Sequence, residues 1–468
     1  MILSTRVNSL FFSTAFCFFL VSPCLLGGVN SAAAAEKYPD RLELLAMAKN
    51  GQIAKLDALL SGYQESFEAG KISERVVNFA FWSFSNSDPA LAPRFDAWIE
   101  QMPNSYSALL ARGLYRRNLG KISRGSRSAR RTGESRYEKM RLYLDLATSD
   151  VIAAIEINSK LGTAYGALIG IYMLNSSRNE RERAVGIGLR AVPNSFTIHY
   201  RYLYSLLPWW GGSLAEIRAF IDEMKWLSPR DENLKMLEGF YDFAIAEGLA
   251  RNGKRREALE YFDRSLSYGE LGWYRYSLGW NYYKLKEYKK ALENMSRALA
   301  VRPQDAFFLY KRAIILRKIG RYDEAFVDLK LAAKLDPLDP DVLLEVAYAL
   351  RDRRFYDQAL TALNNALHYG SNDYYIRDAR GRLYLYELND PVKAVEDLRM
   401  ATLLWPGGTR TMYNYALALY KSRDCRAVKA IKDFRKTCRK GKPSCRSKNL
   451  TWARNATKYL TKTVGCAK

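Results

Sequence analysis

Histidine is nearly missing from this chain, whose 468 residues contain only His199 and His368. A metal site or a Ser-His or Cys-His pair has little to be built from, and both residues read as ordinary helix positions. Also lacking are H-E-x-x-H, G-x-S-x-G, a phosphate-cradling G-x-x-x-x-G-K and a dinucleotide fingerprint after a strand. Gly186 and Gly188 lie in a helical segment and do not make one. Paired carboxylates for glycoside cleavage need only meet in space, so sequence leaves them open, but Asp40, Glu43, Asp222 and Glu223 read as plain surface residues. No catalytic residue, metal, nucleotide or other cofactor is expected. Beyond the first 35 residues no apolar run is long enough to span a bilayer. Cysteine is absent from Cys24 to Cys425, and acidic residues are scarce, 49 against 73 Lys and Arg, for a net charge of +24.

The chain begins with Arg6, an apolar stretch from about Leu10 to Leu26, and Ala32, Ala33, Ala34 and Ala35 before Glu36. That order reads as a secretory signal over 1–35, cleaved ahead of Glu36, and a periplasmic or secreted location is expected. A single membrane anchor is the alternative; Ser13, Thr14, Ser22 and Pro23 interrupt the run and favour cleavage. Pro23 directly before Cys24 disfavours lipid attachment there. After processing, Cys425, Cys438, Cys445 and Cys466 remain, and an even number in an oxidising compartment predicts two disulfides. The stretch from Lys421 to Lys468 holds sixteen Lys and Arg against Asp424 and Asp433, so more than half of the positive excess sits in this tail. Export makes nucleic acid an unlikely partner and leaves anionic lipid headgroups, lipopolysaccharide phosphates, acidic polysaccharide or an acidic protein. A solvated surface that aids solubility is the plainer reading.

A shift of 34 residues superposes Gly279, Ala313, Ala347 and Gly381. The same shift superposes Tyr288 with Tyr322 and Tyr356, Ala291 with Ala325 and Ala359, Ala298 with Ala332 and Ala366, and Pro303 with Pro337. Five registers agreeing at one period mark repeats of a helical pair, with small residues where helices approach and proline where the second helix ends. These residues resemble the tetratricopeptide repeat. Full repeats are placed at about 272–305, 306–339 and 340–373, with a fourth at 374–408 whose turn Asn389, Asp390 and Pro391 lengthens by one residue. A drifted unit at about 239–271 keeps Ala246, Gly253, Ala258 and Phe262. The resemblance implies an all-α, right-handed α-solenoid of antiparallel helix pairs, a tetratricopeptide superhelix over 239–408.

Residues 36–238 read as a helical N-terminal domain of degenerate repeats. Helices are expected at Arg41–Leu60, Val76–Ser85, Ala92–Gln101, Ser107–Arg117 and Met140–Ile157, with a mobile basic loop from Lys121 to Arg136. In Leu207-Pro208-Trp209-Trp210-Gly211-Gly212-Ser213, Pro208 breaks a helix, the glycines allow positive φ, and Ser213 with Glu216 forms a capping box. With Ser123-Arg124-Gly125, this stretch resembles an uncharacterised bacterial domain family found beside such repeats, over about 100–235, which carries no activity across. Trp209 and Trp210 are expected to plug the end of the helical stack.

The superhelix implied by the resemblance puts first helices on the concave face, and with them Trp273, Tyr276, Trp280, Tyr283, Lys284, Phe307, Tyr310, Arg317, Lys318, Leu344, Tyr348, Arg351, Tyr375, Arg382 and Tyr386. Chaperone adaptors of that fold clamp a carboxylate with Lys and Asn where this chain has Tyr276 and Trp280, so that activity is not expected. Aromatic rings with cations suit an extended peptide or a sugar; the same rings could instead pack between repeats. The tail, 409–468, reads as a capping helical hairpin, Asp424 to Cys438 out, Gly441 to Ser444 turning and Leu450 to Thr463 back. Antiparallel geometry favours Cys438 with Cys445 and Cys425 with Cys466, one of three pairings. It would present Arg426, Lys429, Lys432, Arg435, Lys436, Arg439, Lys440 and Lys442 as a basic face. Together these features point to an exported, non-enzymatic scaffold that binds a peptide, protein or anionic glycan, suited to envelope assembly or polysaccharide export. A secreted effector acting on host membranes or nucleic acid, and a carbohydrate-active enzyme in 36–238, are the rivals.

Overall fold

The structure, a computed structural model, describes residues 38–125, 133–227, 231–369, 373–438, 445 and 447–466. The expected signal, the turn at 441–444 and Arg439, Lys440 and Lys442 lie outside the described residues. Among those described, the chain forms twenty-four α-helices and no strand. The first eleven are α1 (Arg41–Lys49), α2 (Ile53–Glu68), α3 (Glu74–Trp82), α4 (Ala92–Gln101), α5 (Tyr106–Arg124), α6 (Glu134–Ile157), α7 (Gly162–Leu174), α8 (Arg178–Ala191), α9 (Phe196–Ser205), α10 (Leu214–Met224) and α11 (Glu232–Glu238). Two expectations change here. The helix expected over Arg41–Leu60 is two helices, because Gly51 takes φ 71° and turns the chain between them. The basic segment expected as a loop from Lys121 is still helix to Arg124 and helix again from Glu134.

The repeats follow as α12 (Phe240–Arg251) with α13 (Glu257–Ser267), α14 (Gly272–Lys284) with α15 (Tyr288–Val301), α16 (Ala306–Lys318) with α17 (Tyr322–Leu335), and α18 (Pro340–Asp352) with α19 (Tyr356–Tyr369). Asp305, Asp339 and Asp373 cap the first helices, their carboxylates accepting from backbone N–H groups two or three residues on. The three-residue turns each place a middle residue at positive φ: Lys286 at 67°, Gly320 at 82° and Arg354 at 65°. Inside a pair, small residues set the spacing; a Cβ on Gly279 would come within 3.1 Å of the Ala291 carbonyl. The next pair, the expected fourth full repeat, is α20 (Tyr374–Arg382), extended by a π-helical turn Leu383–Glu387, and α21 (Pro391–Leu404). Its turn, 388–390, has the usual three residues, so the extra residue sits in the first helix rather than at Asn389–Pro391.

One repeat is hidden in the N-terminal half. Helices α7 and α8 have the same lengths as α14 and α15, 13 and 14 residues. Ser176 takes φ 58° between them, as Lys286 does in the later pair. Ile169 and Arg181 stand where Gly279 and Ala291 stand later, so the small-residue register does not reveal it.

The chain ends in α22 (Thr409–Lys421), α23 (Arg426–Cys438) and α24 (Ser447–Lys462). Phe434, Ile431, Ala453 and Leu460 close the last apolar face of the array in one core with Leu385 and Leu398. Cys425 bonds Cys466 and Cys438 bonds Cys445, with Cα separations of 5.2 and 5.3 Å. The fold is thus the expected α-solenoid with a disulfide-stapled C-terminal hairpin.

The first helices reach back to the repeats. Arg41 donates to Gln304 through its backbone N at 2.8 Å and to the Gln304 carbonyl through Nη1 at 2.5 Å. Asn86 Nδ2 donates to the Leu335 carbonyl at 2.5 Å, and Ser87 donates to Asp336 from its backbone N at 3.1 Å and from its hydroxyl. Asp40, expected as plain surface, caps α1 and accepts from Gln304 Nε2 at 3.2 Å. Burial and the neighbouring Asp339 push Asp336 up to about 7. These contacts join residues about 250 positions apart, so the start of the N-terminal half lies against the turns between successive repeats.

Candidate functional site

Two hollows lie where the halves face each other. One, of about 430 Å³, is bounded by α5, α7 and α9 on one side and by the starts of α14, α16, α18 and α20 on the other. A second, of about 470 Å³, shares Tyr200, Tyr204, Trp273 and Phe307 with the first and continues to Trp209, Tyr276, Trp280 and Arg251.

The aromatic lining follows from helical spacing. Trp273, Tyr276, Trp280 and Tyr283 recur at three, four and three residues along one face of α14. Their rings run in series: Trp273 to Tyr276 at 5.5 Å, Tyr276 stacked on Trp280 at 6.4 Å, and Trp280 stacked on Tyr283 at 4.6 Å. Phe307 of α16 packs on Trp273 at 5.4 Å and on Tyr276 at 4.9 Å. Lys311, absent from the sequence-derived set, holds its Nζ 4.6 Å from the Trp280 centroid, 4.7 Å from Tyr310 and 5.1 Å from Phe307. Burial lowers its pKa. Lys284 also lies over Trp280, its Nζ 5.1 Å from the centroid.

Trp209 and Trp210 do not close the end of a stack. They follow Pro208 in a 3-10 turn ended by Gly211 at φ 89°, and they line the two hollows. Arg251 lies 3.9 Å over the Trp209 ring. The expected capping box forms: the Glu216 N–H donates to Ser213 Oγ at 3.2 Å and Ser213 Oγ donates to Glu216 Oε2 at 2.8 Å. Trp82 of α3 is held between two guanidinium groups, Arg41 at 4.2 Å and Arg302 at 4.3 Å.

The rest of the predicted groove divides. Tyr283, Arg317, Lys318, Tyr348, Arg351 and Arg382 line a separate, more open recess of about 450 Å³ with Arg410. There Arg317 bridges Glu345 at 2.9 Å and Asp352 at 2.7 Å, so its charge is already matched. Tyr310 and Leu344 are buried, at 4% and 9% exposure, and serve packing between repeats rather than an open face. Tyr375 is exposed at the start of α20, against Tyr374 at 3.9 Å. Tyr386 sits in the π-helical turn and donates to Asn414 Oδ1 at 2.7 Å. On the basic face, Arg426 pairs with Asp424 at 2.6 Å and Lys429 with Asp433 at 2.7 Å.

The first hollow is electrically polarised. Arg117, Lys121, Arg124 and Arg201 line the side built by α5 and α9, while Asp305, Asp339 and Asp341 line the repeat side. Asp305 and Asp339 are committed to capping their own helices, and Asp305 also pairs with Arg302 at 3.1 Å. Asp341 opens into the hollow, where enclosing walls and Asp339 push it up to about 6. His199 is buried outside this lining, its Nδ1 2.7 Å from the Ser195 carbonyl, and burial lowers its pKa.

A tetratricopeptide repeat family model matches residues 276–340, which falls within the repeats that the 34-residue shift picks out. A TPR repeat-containing protein of Methanocaldococcus jannaschii is 41% identical over 69 residues, 15% of this chain. The chain spans only 12% of that relative's length. Among solved structures, a tetratricopeptide repeat protein from Parabacteroides merdae is 16% identical, with 64% of this chain and 99% of that one covered and a TM-score of 0.37. YrrB, described as a TPR protein with an unusual peptide-binding site, is 19% identical, with 43% and 99% covered and a TM-score of 0.32. The family match over 276–340 and the helix pairs described above make the chain an all-helical solenoid protein that carries tetratricopeptide repeats.

Proposed function

We propose that this protein is a non-enzymatic scaffold that holds an extended peptide segment of a partner protein in the joined hollows. The carrying observation is the continuous aromatic wall of Trp273, Tyr276, Trp280 and Phe307, faced across the hollow by Tyr204 and Trp209. Rings of this kind offer large contact area at small entropic cost, and the bordering lysines suit backbone carbonyls and acidic side chains. The signal-like start and the two disulfides support the reading that it works outside a reducing cytosol, with a partner in the cell envelope, in assembly or polysaccharide export. The likeness of about 100–235 to an uncharacterised family assigns no chemistry to that half.

Peptides selected by display on the chain from Glu36 onward test the reading, with affinities measured on the parent and on Trp280→Ala. Loss of the central ring should weaken binding by about 2 kcal/mol, roughly thirtyfold, as for an interface hot spot. A folded Trp280→Ala that binds the selected peptides as tightly as the parent refutes the aromatic hollow as their seat.

A further inference from the structure

Half-buried arginines in this chain are generally matched. Arg112 meets Asp150 at 2.7 Å, Arg312 meets Asp328 at 2.7 Å and Arg380 meets Asp397 at 2.6 Å. Arg117 of α5 and Arg201 of α9 break this pattern. Neither has a carboxylate or any other hydrogen-bond acceptor within reach among the described residues, and the Arg117 Nε is buried without a partner. The residues outside the description contain one acidic side chain, Glu36. Asn118, beside Arg117 on the same wall, is buried with its Nδ2 also unpartnered. The carboxylates across the hollow do not satisfy them; Asp305 and Asp339 accept from their own helices.

The position of the Arg117 guanidinium is built in. Helix α7 lies between α5 and α9 and turns two glycines, Gly166 and Gly170, toward them. A Cβ at 170 would stand 2.7 Å from Arg117 Nη2, whereas a Cβ at 166 would meet Thr197 Cγ2 at 2.6 Å and lie in ordinary contact, 3.5 Å, with Arg201 Cγ. Gly170 thus leaves the space that the Arg117 guanidinium occupies, and Gly166, one helical turn away, lies against the stretch of α9 that carries Thr197 and Arg201. Enclosure and the charge of Arg201 lower the Arg117 pKa to about 9, and the Arg201 pKa also falls, chiefly through burial and with a contribution from the charge of Arg302. Two cations held together, desolvated and unmatched, work against the fold, and such arrangements mark sites that a ligand completes.

We propose that Arg117, Arg201 and Asn118 form an oxyanion site that takes the carboxylate or phosphate group of the ligand in the hollow. Paired planar donor forks suit both groups, and the site is built by helices outside the matched repeats 276–340. The inference rests on the hollow being a binding site, and it holds whether or not the occupant is a peptide.

Thermal unfolding of the chain from Glu36, in chloride, acetate or inorganic phosphate at one ionic strength, tests it. The parent should melt higher in acetate or phosphate than in chloride, and whichever anion acts at lower concentration identifies the group. Arg117→Met and Arg201→Met should each weaken the oxyanion response at least tenfold while melting at or above the parent in chloride. Gly170→Ala, which keeps the charge but displaces the Arg117 guanidinium, should weaken the response likewise. The site is overturned if neither anion raises the parent's melting point, or if the variants keep the parent's response. Arginine variants that melt well below the parent in chloride also overturn it, because that would make the pair a structural prop. If selected peptides ignore Trp280→Ala while the oxyanion response stands, the peptide reading falls and this site remains; the reverse result removes this site alone.

Discussion

Replacing Cys425 and Cys466 together by serine should loosen the C-terminal cap far more than the rest of the solenoid. The bridge closes a separation of 41 residues, whereas Cys438–Cys445 closes 7. On the loop-entropy relation the longer bridge contributes ~4 kcal/mol and the shorter ~2.4 kcal/mol. The effect should be local, because α22, α23 and α24 share a core whose buried array members, among the described residues, are Leu385 of the π-helical turn after α20 and Ala394, Val395 and Leu398 of α21. Hydrogen exchange read by mass spectrometry checks this directly. In Cys425→Ser/Cys466→Ser, backbone amides of 409–438 and 447–462 should exchange roughly a thousandfold faster where local opening governs exchange, since ~4 kcal/mol is about three decades. Amides of 240–369 should change little, and Cys438→Ser/Cys445→Ser should show a markedly smaller effect. Equal effects from the two pairs, or protection lost evenly along the chain, would refute the reasoning.

Two further perturbations probe the contacts that position the hollow. Asp336 rises from 3.8 to about 7 on folding, so the folded state holds a proton that the unfolded state releases; its contribution to stability is present below about pH 4 and is lost as pH rises to about 7. Melting points at pH 5 and pH 8 should differ less in Asp336→Asn than in the parent, and an unchanged difference counts against this carboxylate. In Gly162→Ala, the new Cβ would stand 1.8 Å from Glu74 Oε1 and 2.6 Å from Ser195 Oγ, where buried Glu74 accepts from the Thr197 N–H at 2.9 Å. Overpacking there should cost about 2–3 kcal/mol in denaturant unfolding, outweighing the gain in helix propensity.

The repeats are legible because their constraint is local: a small residue at the close approaches, and in two repeats a proline where the second helix ends, recur at one spacing. Where that signature is replaced, the repeat disappears from view, as at Ile169 and Arg181 in α7 and α8. A trace survives in Val192-Pro193-Asn194-Ser195 ahead of α9, which repeats Met102-Pro103-Asn104-Ser105 ahead of α5. Asn389, Asp390 and Pro391 look like a lengthened turn, yet the helix absorbs the extra residue as a π-helical turn, a choice made by packing. Trp273, Tyr276 and Trp280 follow from helical period, but the same period cannot tell a ring facing the hollow from Tyr310 facing the next repeat. Asn86 with Leu335 and Ser87 with Asp336 join distant stretches with no local signal. Arg117 and Arg201 carry no local signal in the sequence, and it takes the structure to show Gly170 beneath the Arg117 guanidinium.

Photo-crosslinking of a display-selected peptide from position 204, where Tyr204 lines both hollows, tests the central claim most directly, with the 65% exposed Val327 on α17 as the outer-face control. The account predicts adducts from 204 and none from 327. Adducts from 327, with none from 204, would contradict it.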